Sequence, residues 1–246
     1  MIIPPQLPAS RVIQTAITLP PTHFDGWQGA DPFLQYTVLI LQGGSAVDKS
    51  PSARTVTTSG ATQNSTDVLY NGQKTIKLVG NNGNTCINWD PSGAQLDGKD
   101  WCYELFFSSD GGGYLYVDDT GNNGAGLMMG TRGFSGTHIG WLGSLNRVGQ
   151  GFGGTVVTYP WSLAYFCAER IGRFLYLSKD GVVNSIVDLG STSFSFNNAA
   201  INPRVGEDPS VSTQFGNAYA TPLRLTIGVS RYGGQNFTPP PFFPVS

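Results

Sequence analysis

What most constrains this chain is how often it turns. Short apolar and β-branched runs recur along its length, and Gly, Asn or Asp bounds nearly all of them. No stretch longer than about ten residues places apolar side chains at the i, i+3, i+4, i+7 spacing of an amphipathic helix, so long helices are not expected. Residues 37–42 (TVLILQ) stop at Gly43-Gly44, and residues 55–58 resume after a turn over 48–51; both read as strands. Residues 75–79 and 84–89 flank Gly80-Asn81-Asn82-Gly83, where Asn and Gly tolerate positive φ, and this spacing predicts a hairpin.

Residues 101–107 (WCYELFF), a turn over 108–113 and residues 114–117 predict a second hairpin. Within it Trp101, Tyr103, Leu105 and Phe107 alternate onto one face, the face expected to enter the core. Residues 161–170, 173–178 and 182–187 predict a third ribbon, turned at Ile171-Gly172 and again at Lys179-Asp180-Gly181. Repeated short strands joined by such turns imply two antiparallel sheets packed face to face, an all-β sandwich. A length of 246 residues fits one all-β domain of the larger kind.

Composition narrows the function classes. Charged residues make up 12% of the chain, against roughly a quarter in ordinary soluble domains, so Ser, Thr, Asn and Gln must supply the polar surface. Such a surface suits close protein–protein packing. A net charge of −2, with no basic run, removes the electrostatic footprint of a nucleic-acid binder. No basic n-region precedes an apolar stretch at the start, and no 18-residue apolar segment follows, so neither export nor a membrane partner is expected. Cys86, Cys102 and Cys167 are too few and too widely spaced for a disulfide framework or a zinc site. Cys102 and Cys167 sit within apolar strands and are expected buried and reduced, although a bridge stays open if strands bring two of them within about 7 Å between Cα atoms.

Residues 223–244 (LRLTIGVSRYGGQNFTPPPFFP) read as a strand, a Ser-Arg-Tyr turn, a Gly/Asn loop and a polyproline exit. This ending resembles the terminal strand of the laminin-G-like, or concanavalin A-like, jelly-roll domains of tailed-phage virion proteins. The resemblance extends over about residues 34–244 through stations in family order. Residues 38–44 with Asp48, Ser50 and Pro51 resemble the opening strand and its Asp-x-Ser turn. Residues 100–107 resemble an Asp-Phe-Thr-Ile-Glu-Phe-Trp strand, and residues 161–181 a Trp-His-x-Val-Ala strand with its Asp-Gly hairpin. Ser162 stands where the His usually does, Lys179 precedes Asp180, and residues 218–221 (AYAT), read as preceding the last strand, lack the family's two acids. The resemblance implies that residues 223–229 pair with 37–42, closing the sandwich with its own ends.

Residues 1–33 precede the first family strand and read as an extended N-terminal arm; residues 34–246 form the jelly roll with its Pro-rich tail. Val12, Ile13, Ile17 and Leu19 could add a strand to a partner's sheet edge; the alternative is that the arm folds back on its own sandwich. Pro239, Pro240 and Pro241 cannot donate ladder hydrogen bonds, so the tail should leave the sheet as an extended segment. Phe242 and Phe243 are expected to dock, on this sheet or on a neighbouring subunit. Residues 130–154, rich in glycine, read as a long insertion and contact loop.

Little in the sequence converges on catalysis. Glu104, Glu169 and Glu207 are its glutamates, without the paired-carboxylate strand motif of jelly-roll glycosidases; His23 and His138 are isolated, and no G-x-S-x-G elbow is present. Asp118 and Asp119, with Asn122 and Asn123, form the best oxygen-ligand cluster for Ca²⁺, but turn formation accounts for them, and no metal or cofactor is expected. Trp27, Trp89 and Trp141 lie among Gly and Asn residues and are the candidates for stacking on a sugar. The resemblance implies a non-enzymatic structural protein of a tailed-phage virion, made in the host cytoplasm. It would decorate capsid or tail as a homo-oligomer, with other virion proteins as partners. The alternative is a glycan-binding adsorption module or lectin, whose partner is a host surface glycan.

Overall fold

The structure, a computed structural model, describes residues 30–79, 85–92, 96, 98–109, 113–117, 127–131, 138–145, 150–158, 164–189, 202–206 and 217–245. After a 3₁₀ turn at Leu34–Tyr36, the strands in chain order are β1 (Thr37–Leu41), β2 (Val56–Ser59), β3 (Ala61–Tyr70), β4 (Gln73–Leu78), β5 (Cys86–Trp89), β6 (Trp101–Ser109), β7 (Gly113–Val117), β8 (Leu127–Thr131), β9 (His138–Leu145), β10 (Gln150–Thr158), β11 (Ala164–Ile171), β12 (Phe174–Lys179), β13 (Val182–Asp188), β14 (Arg204–Gly206) and β15 (Ala218–Ile227). They form two antiparallel sheets. One runs β13-β12-β11-β6-β15-β4-β3, with β1 also on β15; the other runs β10-β9-β8-β7-β14-β5-β2. This is the all-β sandwich that the turn spacing predicts.

β15 is the hinge of the larger sheet. One flank pairs with β6 along nearly its whole length. The other is shared: Ala218 to Ala220 pair with β4, and Leu223 to Thr226 pair with β1. The terminal and opening strands therefore lie side by side, as the resemblance implies. The turn after β1 is set by the Asp48 carboxylate, which accepts from the backbone N–H groups of Ile40 (2.9 Å), Ser50 (2.8 Å) and Arg54 (2.7 Å) and from the Ser50 hydroxyl (2.9 Å). That is the Asp-x-Ser station expected there, with Asp48 itself buried.

The core follows from the period-two alternation of strands. Trp101, Tyr103, Leu105 and Phe107 of β6 point inward, beside Phe166 and Ala168 of β11, Leu175 and Leu177 of β12, and Leu223 and Leu225 of β15. Ile87, Trp89 and Val205 meet them from the opposite sheet. β11, β12 and β13 form the predicted third ribbon, turned at Gly172 and Gly181.

Several expectations are corrected. β4 and β5 are not a hairpin: β4 lies in one sheet and β5 in the other, as do β6 and β7. Asn/Gly turn chemistry is local and does not say which sheet supplies the next strand's hydrogen bonds. At the first crossing the Thr85 hydroxyl donates to the Val79 carbonyl (2.8 Å), tying the corner together. Residues 130–154 are not an uninterrupted contact loop, because β9 and most of β10 lie within them. Their glycines mask strand character that pairing supplies. Residues 218–221 belong to β15 itself, not to a segment before it. β3 and β14 are strands that the sequence reading lacks; β3 is polar, and β14 is only three residues long.

Trp101 is fully buried, whereas Val182 on the edge strand is 50% exposed. Trp101→Ala is expected to cost about 3–5 kcal/mol, and Val182→Ala no more than about 0.5 kcal/mol. Urea unfolding with an unchanged slope measures both, and similar midpoint shifts for the two would contradict this placement of the core.

Candidate functional site

A strand with one face in the core commonly gives the other face to water. Here it does not. The outward residues of the larger sheet include Ile40, Cys102, Phe106, Tyr165 and Cys167, and they form a second apolar cluster with Tyr232 and Phe243 from the segment after β15. Beside that cluster lie the charged residues Asp31, Glu104, Glu169, Arg224 and Arg231, all buried.

Glu104 sits in the middle of β6 and receives a fork from Arg224 of the paired β15: Nε donates to Oε2 (2.7 Å) and Nη2 to Oε1 (2.9 Å). The Tyr165 hydroxyl donates to Oε1 at 2.6 Å, and the Tyr232 hydroxyl donates to the same oxygen. Arg224 Nη1 also reaches Asp31 Oδ2 (3.3 Å), whose carboxylate accepts from Arg231 Nη2 (2.7 Å) and Nη1 (3.2 Å). Arg231 completes its bonds on Thr226 Oγ1 (2.7 Å) and Thr37 Oγ1 (2.9 Å). Two guanidiniums thus face two carboxylates, and each guanidinium also lies over a ring, Arg224 over Phe243 (4.2 Å) and Arg231 over Phe33 (5.1 Å).

Burial by itself would push the Glu104 carboxyl up. Arg224, then Arg231 and the Tyr165 hydroxyl, outweigh it and hold the group below the usual glutamate range. Burial, then the Glu104 charge, pushes the phenols of Tyr165 and Tyr232 well above their ordinary value, so both stay protonated as donors.

Glu169 does separate work. Its carboxylate accepts from the Ser230 hydroxyl (2.8 Å), from the backbone N–H of Tyr232 (2.9 Å) and Gly234 (2.8 Å), and from the N–H of Arg231. One buried acid thereby shapes the whole Ser-Arg-Tyr-Gly-Gly turn. The chain then crosses the outer face as a strap. Phe237 stacks on Tyr232 (3.7 Å between centroids), and its N–H donates to the Gly181 carbonyl (2.8 Å). Gly181, at φ +79, is required there, since a Cβ would stand 1.8 Å from the Phe237 oxygen. Farther on, Tyr70 donates to the Pro240 carbonyl (2.9 Å), and the Gln42 amide pairs with the Phe243 backbone in both directions (3.1 and 3.0 Å). The strap stitches the β12–β13 turn to the β3–β4 ribbon.

Chemically this array is a sealed clasp. Its carboxylates are buried and each accepts several hydrogen bonds from within the chain. Its signal was present in the sequence at Glu104, which interrupts residues 101–107 (WCYELFF), a strand otherwise apolar or aromatic on both faces. Strands of that kind are covered on both sides, and their charges must pair.

Of the candidate residues, Phe243 is fully buried on its own sheet, so it is not free for a partner, while Phe242 is 49% exposed. Trp89 is fully buried in the core and cannot stack on a sugar; its loop setting in the sequence hid that it ends β5. Trp141 falls on β9, not in a loop. Val12, Ile13, Ile17, Leu19, Trp27, Asp118 and Asp119 lie outside the described residues. Cys86, Cys102 and Cys167 are buried free thiols. Among the described residues no group of three or more His, Cys, Asp or Glu is placed to hold a metal ion, and no helix is long and apolar enough to cross a membrane.

Beyond the strap, the described surface carries one aromatic ring with polar partners. Tyr219 of β15 lies opposite Lys77 of β4. The Lys77 ammonium is 5.8 Å from the Tyr219 ring centroid and 2.7 Å from Asp67 Oδ2, to which the Tyr219 hydroxyl also points (3.5 Å).

No protein-family model matches the sequence, and no curated protein matches it. Solved structures do share the fold. The receptor-binding domain of botulinum neurotoxin D matches with a TM-score of 0.56 at 12% identity, covering 79% of this chain and 50% of that one. A structure of botulinum neurotoxin type C matches with a TM-score of 0.55 at 11% identity, covering 83% and 49%. The ligand binding domain of serotype D matches at 0.52 and 13%, covering 79% and 48%. This chain spans about half the length of those neurotoxin chains.

Removing the Glu104 charge leaves Arg224 buried without its fork, so Glu104→Gln is expected to cost about 3–5 kcal/mol at neutral pH. Because the folded carboxyl titrates below the ordinary value of 4.5, the unfolded chain takes up the proton first as pH falls. The stabilisation is complete above that value and is lost as pH drops through the folded one. Chemical unfolding between neutral and acid pH should show this loss in the native protein and its absence in Glu104→Gln; parallel curves would contradict the assignment.

Proposed function

We propose that this chain is a non-enzymatic β-sandwich module that binds a glycan displayed on a cell surface. The observation that carries the reading is the sandwich shared with the neurotoxin receptor-binding domains. Of those proteins, type C is described as depending on two ganglioside molecules to enter cells, and the serotype D domain as a complex with N-acetylneuraminic acid. The clasp supports the non-enzymatic part, since Asp31, Glu104 and Glu169 are all tied up in holding the chain together.

The strap covers the outer face of the larger sheet around the clasp, whereas Tyr219, Lys77 and Asp67 lie on that sheet outside the covered cluster. A sugar ring packs on an aromatic face while its hydroxyls meet polar groups. Tyr219 with Lys77 and Asp67 offers that combination of a ring and polar groups. Trp27 and Trp141 remain candidates for the same role from the chain's Gly-rich segments.

A second reading, attachment to a virion through residues 1–33, draws on the resemblance of residues 223–244 to tailed-phage modules. Its truncation must stop before Asp31, which the clasp needs. Loss of residues 1–29 that removes the protein from particles, while any glycan binding persists, favours this second role.

A glycan array carrying ganglioside headgroups and sialylated oligosaccharides tests the main reading directly. Binding is expected, and Tyr219→Ala, Trp27→Ala or Trp141→Ala should weaken it roughly tenfold at whichever aromatic stacks on the sugar. A folded protein that binds no glycan above background sinks the reading.

A further inference from the structure

Cys102 of β6 and Cys167 of β11 stand on the sealed outer face with their sulfurs 3.6 Å apart. Cys102 lies opposite Glu169 and Cys167 opposite Glu104, so the two thiols are diagonal neighbours across one strand pair. Diagonal neighbours sit at about 7–8 Å between Cα atoms, at or beyond the 4.4–6.8 Å that disulfides usually span. A bond formed here must pull the strands together, and strained disulfides are the readily reduced ones.

We propose that Cys102 and Cys167 form a reversible disulfide, oxidised by a peroxide and gated by the strap that covers them. Tyr232 and Phe243 of the strap pack in the same cluster as both thiols. While the strap is down, burial first, and then neighbouring charges, keep both groups in the protonated thiol form. When it lifts, one thiol loses its proton and attacks the peroxide O–O bond. That sulfur becomes a sulfenic acid, and the other oxygen leaves and is protonated to water. The second thiol then displaces the sulfenyl oxygen as a second water. Two thiols are oxidised by two electrons, and one peroxide is reduced. The Gln42 amide, bonded twice to the Phe243 backbone, is the latch on this opening.

The test treats the full chain with hydrogen peroxide, then denatures, alkylates and digests it without reductant for peptide mass mapping. A peptide pair joining Cys102 to Cys167, lighter by two hydrogens and separated by dithiothreitol, is expected. Cys86, on the other sheet, should be recovered alkylated. Phe243→Ala removes a strap ring from the cluster that includes both thiols and is expected to form the bond roughly a hundredfold faster. Gln42→Ala, which leaves that ring in place, should accelerate it about tenfold. Recovery of Cys102 and Cys167 as separate alkylated or over-oxidised peptides in the native protein and in Gln42→Ala overturns the pairing. Equal rates in the native protein and Gln42→Ala overturn the gating.

Discussion

The fork from Arg224 to Glu104 is the contact on which the rest of this architecture depends. It joins the two central strands of the larger sheet, β6 and β15, on the face away from the core. Neither charge tolerates that burial alone, so each additional partner follows from the first. Tyr165 and Tyr232 fill the remaining lone pairs of Glu104, while Asp31 balances Arg224 and brings in Arg231. Arg231 and Tyr232 belong to the segment after β15, and Asp31 precedes β1. A single buried pair therefore obliges the chain on both sides of the sandwich to fold over one sheet. A buried ion pair is a poor source of net stability when compared with apolar residues of the same shape. What it enforces is arrangement, since a displaced strap leaves charge without compensation.

The fold was legible because strands and turns are local signals. β1, β2, β6, β11, β12 and β13 fall where the β-branched runs and Asp/Gly turns place them. The pairing of β1 with β15 came from the family resemblance, since nothing in residues 37–42 alone names their partner. Sheet membership was not legible. Asn and Gly allow both a tight hairpin and a corner between sheets, and the difference lies in distant partners, β15 for β4 and β14 with β2 for β5. β9 and β10 were hidden by glycines, which weaken strand propensity without forbidding a strand held by its neighbours.

The site was legible in part. The tail was expected to leave the sheet as an extended segment with its aromatic residues docked, and Phe243 does dock, bonded to the Gln42 amide and lying under the Arg224 guanidinium, while Phe242 next to it stays half exposed. The clasp was missed. Attention to paired carboxylates as catalysts passes over single carboxylates that lie far apart in sequence, and Glu104 with Arg224 are 120 residues apart. The usable clue was hydropathy on both faces of a strand. Cys102 and Phe106 leave residues 101–107 no polar face to give to water, so Glu104 between them had to meet a buried cation.

The Ser-Arg-Tyr turn has a consequence for how similarity is turned into function. Ser230 bonds to Glu169, Arg231 to Asp31, Thr226 and Thr37, and Tyr232 to Glu104, so every distinctive side chain of that turn is spent inside the molecule. Residues that close a sandwich are constrained by the sandwich, whatever its outer surface binds. A resemblance built on them therefore bears on architecture and is silent on ligand. The surface that would distinguish a glycan binder from an attachment module lies outside the clasp, at Tyr219 with Lys77 and Asp67, which bond among themselves. Substitutions there change recognition without disturbing the clasp, because no bond of the buried network passes through them.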